Sequence, residues 1–110
     1  SYLFSIFDIL SSKISNFCFF QDDRNILSLN LKEIDAELMV VSQFTLAAVT
    51  NKGNKASFHK AASAEKAESL YNQLIKDLSE SSVRFQSGVF GANMEVHLVN
   101  SGPVTFSFSI

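Results

Sequence analysis

At 110 residues the chain holds one small domain, residues 1–110, and no more. Hydrophobic residues at 46 % against 18 % charged exclude a disordered protein, and no apolar run approaches the ~20 residues that a membrane-spanning helix needs. A formal charge of −2 argues against a protein that coats a long nucleic-acid duplex, while leaving contact with a short single-stranded end open.

Leu3, Ile6, Phe7, Leu10 and Ile14 recur at the spacing of one helical face, which predicts a helix over residues 2–14. The apolar start has no basic flank and contains Asp8, so it does not read as a signal peptide. Because the chain opens at Ser1 without Met or a capping turn, the protein or its relatives are expected to begin further upstream. Residues 16–20, around Phe17-Cys18-Phe19-Phe20, read as a short buried strand. The single cysteine gives no internal disulfide and fits a reducing, cytoplasmic setting. Gln21-Asp22-Asp23-Arg24-Asn25 is a polar turn, and Ile26–Leu31 a second strand. The apolar run Glu37–Leu46 predicts a central strand.

Asn51–Lys60 is a loop carrying Lys52, Lys55 and Lys60 around Gly53. Ser63 is placed to cap the next helix, with Glu65 near its positive end. Ala67, Leu70, Tyr71, Leu74 and Leu78 share one face of that helix, which is expected to pack on a sheet and to run out near Ser81-Ser82. Met94–Val99 alternates as a strand. So does the final segment, where Val104, Phe106, Phe108 and Ile110 alternate with Thr105, Ser107 and Ser109. The order implies an α/β fold, a layered arrangement of mixed or antiparallel sheet with packed helices, and no nucleotide-binding Gly-rich loop follows a strand.

No nucleophile-elbow, zincin or Walker pattern is present, and no Cys/His spacing forms a metal site. His97, two residues from Glu95 in an alternating segment, reads as a surface or structural residue. His59 reads either as a solvated side chain or as a phosphate contact. Gly102-Pro103 reads alone as a plain turn between two strands, although X–Pro is also the one common place for a cis bond. Ser42-Gln43-Phe44-Thr45-Leu46 reads alone as a strand end with ordinary polar termination.

Taken together, Ser42-Gln43-Phe44-Thr45-Leu46 and Asn100-Ser101-Gly102-Pro103-Val104-Thr105 resemble the two signature motifs of the D-aminoacyl-tRNA deacylases, SQFTL and NxGPVT, in the right order. Lys52-Gly53-Asn54-Lys55, Ser57-Phe58 and Phe90-Gly91-Ala92-Asn93-Met94 resemble the connecting segments, so the resemblance runs from about Lys13 to Ile110. Ala56 stands where the family usually has Pro. Family members also carry a few dozen residues before the first helix, including an Arg that supports the Gly-Pro loop, and this chain has no counterpart.

The resemblance implies an enzyme that hydrolyses the ester joining a D-amino acid, or glycine, to the 3′ end of tRNA, with no cofactor and no metal. The alternative is a truncated, non-catalytic relative that acts as a dimeric RNA-end-binding module. Ser42, Gln43, Phe44 and Thr45 would form the catalytic strand end. Gly102 and Pro103, with a cis bond between them, would line the site of the partner in a homodimer. Phe90 and Met94 would bound the pocket for the terminal adenosine. No membrane partner is implied. Thr45 lacks a neighbouring base in the motif, so water helped by a ribose hydroxyl is the expected attacking group.

Overall fold

The structure is a computed structural model that describes residues 2–109, with the side chains of the first helix described from Phe7 onward. The side chains of Leu3 and Ile6, and Ile110 at the end of the expected final strand, lie outside the described residues.

Helix α1 spans Tyr2–Asn16. Its described inner face is Phe7, Leu10, Ile14 and Ser15, while Ile9 on the other side is exposed. The aromatic run that follows is not the buried strand its composition predicts. Only Phe20–Gln21 forms strand β1, paired antiparallel with β2, Leu27–Leu29. Phe17 and Phe19 instead pack by ring contact, with each other at 4.9 Å between centroids and with Phe106 at 5.0 and 6.1 Å. Tilted and edge-on rings gain from their quadrupoles without any ladder hydrogen bond.

The polar turn closes the β1–β2 hairpin around one carboxylate. Asp22 accepts from the backbone N–H groups of Arg24 and Ile26 at 2.8 and 3.2 Å, from the Ser28 hydroxyl at 2.8 Å and from the Arg24 guanidinium at 2.6 Å. Asn25 takes the left-handed conformation, φ 60°, that this short polar residue tolerates. The Arg24 guanidinium, then the Ser28 hydroxyl, hold the Asp22 carboxyl at about 2, below its ordinary 3.8.

Strand β3 is Glu37–Val40 and strand β4 is Arg84–Ser87. They pair in parallel, in register from Glu37 opposite Arg84 to Val40 opposite Ser87. Helix α2, Ala64–Ser79, makes the crossover between them. Ser63 caps it by accepting from the Lys66 N–H at 3.3 Å, Glu65 lies in its first turn and Lys76 in its last, each at the end that its charge favours. Leu78 is fully buried and, with Phe7, Leu31 and Val83, makes up the buried apolar core among the described residues.

Three expected strands are corrected. The run to Leu46 does not stay in the sheet. β3 stops at Val40, and Phe44–Ala47 is a short 3₁₀ turn. Among the described residues β3 also has a single neighbour, so it is not central there. Met94–Val99 and the described part of the final segment, Val104–Ser109, form no ladder. Alternation selects which side chains share a face, but a strand also needs a hydrogen-bonding neighbour, and none of the described residues supplies one. The face itself survives in part, since Phe106 and Phe108 both reach the Phe17 ring at 5.0 Å. Conversely, β4 has little alternation of its own. It is held by Arg84 on Asp35 (3.2 Å to the carboxylate, 2.8 Å to the carbonyl) and Gln86 on Glu37 at 2.9 Å.

Candidate functional site

In a parallel pair joined by a helix, the carboxyl ends of both strands and the start of the helix meet on one side. In this chain a cavity of about 590 Å³ lies at that place. Ser42, Gln43 and Phe44 line it beyond the end of β3, and Phe90 to Met94 beyond the end of β4. Ala61 and Ala62, just before α2, and Ala64 and Ala67, in its first turns, line it from the third side. Small side chains on the helix leave the space open, and Phe58, packed on Phe44 at 5.0 Å between ring centroids, closes one wall. A larger groove of about 910 Å³, between α1 and the Phe17–Phe106 pair, holds none of these groups.

Five of the eight candidate residues therefore line one cavity: Ser42, Gln43, Phe44, Phe90 and Met94. Thr45 is tied to it through a hydrogen bond from the Gln43 amide to its hydroxyl. An amide that donates to a hydroxyl is no base. Both histidines have other partners: His59 Nδ1 lies 2.8 Å from the Ser57 hydroxyl, and His97 Nε2 lies 3.4 Å from Glu95 at an exposed position. The cavity thus offers apolar walls that include the Phe44, Phe58 and Phe90 rings, together with the Ser42 hydroxyl and the Gln43 amide.

Gly102 and Pro103 do not join that cavity within the chain. They line a separate one of about 670 Å³ with Phe20, Leu31 and Leu38. The bond between them is cis, and Gly102 has φ +125°, a conformation that side-chain-bearing residues rarely adopt. An added Cβ would stand 3.2 Å from the Val104 N–H nitrogen.

Sequence reasoning left two contributors unassigned. One is the alanine row of α2, whose Ala64, Ala67 and Tyr71 fall three and four residues apart. The other is the Tyr71 hydroxyl, 2.8 Å from the Gly88 carbonyl and 3.3 Å from the Val40 carbonyl. A tyrosine on the apolar face of a helix needs a partner for its hydroxyl, and that need was the available signal. Lys52, Lys55 and Lys60 are exposed on the loop beside the cavity, and the whole stretch from Asn51 to Ser63 carries no acid. Among the described residues no three His, Cys, Asp or Glu side chains are grouped to hold a metal ion, and no helix is long and apolar enough to cross a membrane.

The sequence model of the D-Tyr-tRNA(Tyr) deacylase family matches residues 5–109. A D-aminoacyl-tRNA deacylase of Pseudoalteromonas atlantica is 44 % identical over 101 residues, 92 % of this chain and 70 % of that protein. The D-aminoacyl-tRNA deacylases of Flavobacterium psychrophilum and Finegoldia magna are each 47 % identical, over 87 % and 89 % of this chain. The chain spans 65 % and 66 % of the length of those two relatives. Among solved structures, a protein described as c-Myc DNA Unwinding Element Binding Protein superposes with a TM-score of 0.77 at 37 % identity, over 89 % of this chain and 67 % of that one.

Proposed function

The chain belongs to the D-Tyr-tRNA(Tyr) deacylase family, whose curated relatives are D-aminoacyl-tRNA deacylases, and from that premise we propose that it hydrolyses the ester of D-aminoacyl-tRNA. The products are free tRNA and a D-amino acid, and glycyl-tRNA is a second substrate. The observation that carries this reading is the single cavity in which Ser42, Gln43 and Phe44 face Phe90 and Met94 at the carboxyl ends of two parallel strands.

In this reading the terminal adenine lies between the apolar walls, bounded by Phe90 and Met94, and the ester carbonyl lies at the Ser42–Thr45 end. Backbone N–H groups at the start of the 3₁₀ turn lack intrahelical acceptors and are suited to a developing oxyanion. Water attacks, assisted by a ribose hydroxyl of the substrate. Among the described residues no base is hydrogen-bonded to the Thr45 hydroxyl, whose side-chain partner is the Gln43 amide, which supports positioning rather than nucleophilic attack as its role. Lys52, Lys55 and Lys60 steer the phosphates of the acceptor end.

The same reading makes the protein a homodimer in the cytoplasm, with the Gly102-Pro103 loop of one subunit entering the cavity of the other. Two features support that arrangement: the loop is exposed and absent from its own chain's cavity, and Val96, Leu98, Val99 and Val104 leave a run of apolar side chains uncovered. Carbonyls of the loop would hold the α-amino group, so an L side chain would strike backbone. Chirality is then selected by exclusion.

The test is ester loss from D-tyrosyl-, glycyl- and L-tyrosyl-tRNA with the purified chain, alongside light scattering. Release from the first two but not the third, by a dimer, is expected. Retention of D-tyrosyl-tRNA on the protein without ester loss would make it an RNA-end-binding module instead. A monomer that still selects would remove the cross-subunit loop from the account.

A further inference from the structure

We infer that Tyr71 is a positioning residue for the cavity, fixing the walls that Phe90 and Met94 provide. This rests on the deacylase reading only for which substrate the cavity takes.

Tyr71 stands on α2, in the crossover, and reaches the point where both parallel strands end. Its hydroxyl is 2.8 Å from the Gly88 carbonyl and 3.3 Å from the Val40 carbonyl. A phenol has one proton, and the shorter approach assigns it chiefly to Gly88. The Val40 carbonyl already accepts the Gly88 N–H at 2.8 Å, one residue past the register of β3 and β4. Tyr71 therefore pins the residue at which the chain leaves β4, and from there the next turns form the cavity wall.

Two wall side chains depend on that pin. The Tyr71 ring packs on Phe90 at 5.9 Å between centroids, tilted by 41°. Gly88 is the seat of Met94, because a Cβ built at Gly88 would stand 2.7 Å from the Met94 sulfur and 3.2 Å from its methyl carbon. The carbonyl that Tyr71 holds thus belongs to the residue on which the thioether rests. One side chain, outside the cavity lining, sets the distance across the cavity at Phe90 directly and at Met94 through Gly88.

The experiment compares the wild-type chain with Tyr71→Phe and Tyr71→Leu. It reads kcat and KM on D-tyrosyl-tRNA, the NMR methyl resonance of Met94 (assigned with Met94→Leu) and amide exchange at Gly88 and Phe90. Tyr71→Phe keeps the ring and loses the pin. KM should rise about three- to tenfold, the change that one ordinary hydrogen bond corresponds to, with kcat within about twofold. The Met94 methyl should shift, and exchange at Gly88 and Phe90 should quicken while that of Leu74 in α2 does not. Tyr71→Leu, which also loses the contact with Phe90, should raise KM further. A fall in kcat at unchanged KM, matching a loss of folded protein by circular dichroism, would reduce Tyr71 to a stabilising residue and overturn the inference. If the wild-type chain releases no amino acid, the deacylase reading fails separately, and the Met94 methyl still decides: shifted in Tyr71→Phe it supports the positioning role, unmoved it refutes it.

Discussion

The β3–α2–β4 unit, with the wall that follows it to Met94, and the segment from Glu95 to Ser109 carry the two parts of the candidate site and are held in different ways. In the first, a parallel ladder, a capped helix and the Tyr71 hydroxyl close one cavity from within the chain. In the second, no residue belongs to a helix or strand, residues 95–107 are all exposed, and Gly102 holds its left-handed backbone between solvent-facing neighbours. The part proposed to bind by shape is self-supporting. The part assigned to chirality is a presented loop, whose apolar flanks still need a surface to cover them.

The largest expected effect falls on the self-supporting part. Leu78 is fully buried, so Leu78→Ala should cost about 2–5 kcal/mol by lost transfer energy and a cavity, read as a lower denaturant midpoint. If stability is unchanged, the crossover does not hold the fold together. Gly102→Ala attacks the presented part. Its φ of +125° and the 3.2 Å approach to Val104 should displace the loop, lowering single-turnover deacylation by about a hundredfold, as misplacement on the scale of 1 Å can. The melting curve should not move, and a parallel loss of stability would erase the contrast between the two regions. Thr45→Ala should leave deacylation within about tenfold of wild type, because backbone donors remain. A trapped aminoacyl-Thr45 adduct would reverse that assignment.

The smallest effect lies outside both regions, in the β1–β2 turn. Arg24 and Ser28 depress the Asp22 carboxyl to about 2 in the folded chain, against 3.8 unfolded. The folded value is the lower one, so the stabilisation is present above pH 3.8 and is lost as pH falls toward 2. Melting temperature followed from pH 5 downward should show this step in wild type and lose it in Asp22→Asn, with no change in activity at neutral pH.

The sequence carried whatever is decided within a few residues. The Ser63 cap, the α2 face, the polar turn at Asp22 and the His97–Glu95 pair all follow from side chains three or four apart or nearer. The β3 strand was legible, but not its stop at Val40, since the apolar run continues while the backbone leaves the sheet. β4 escaped notice because its pairing depends on Asp35 and Glu37, far back in the chain. The opposite error arose at Met94–Val99 and Val104–Ser109, where alternation is plain but no described ladder receives it. Ser42, Gln43, Phe44, Phe90 and Met94 could be singled out by motif, whereas the alanine row and Tyr71 join the site only through the crossover.

The spans of these contacts also set an order of assembly. The Asp22 cluster closes over six residues, a hairpin that forms on the microsecond scale once its side chains are available. Arg84 reaches Asp35 across 49 residues, a parallel closure with a far larger entropic cost. On a growing polypeptide the hairpin can therefore settle while α2 is still being made, and the cavity cannot exist until β4 has emerged and docked. The candidate cavity appears only after that closure, and slow closure of so long a loop would delay function without delaying the onset of folding.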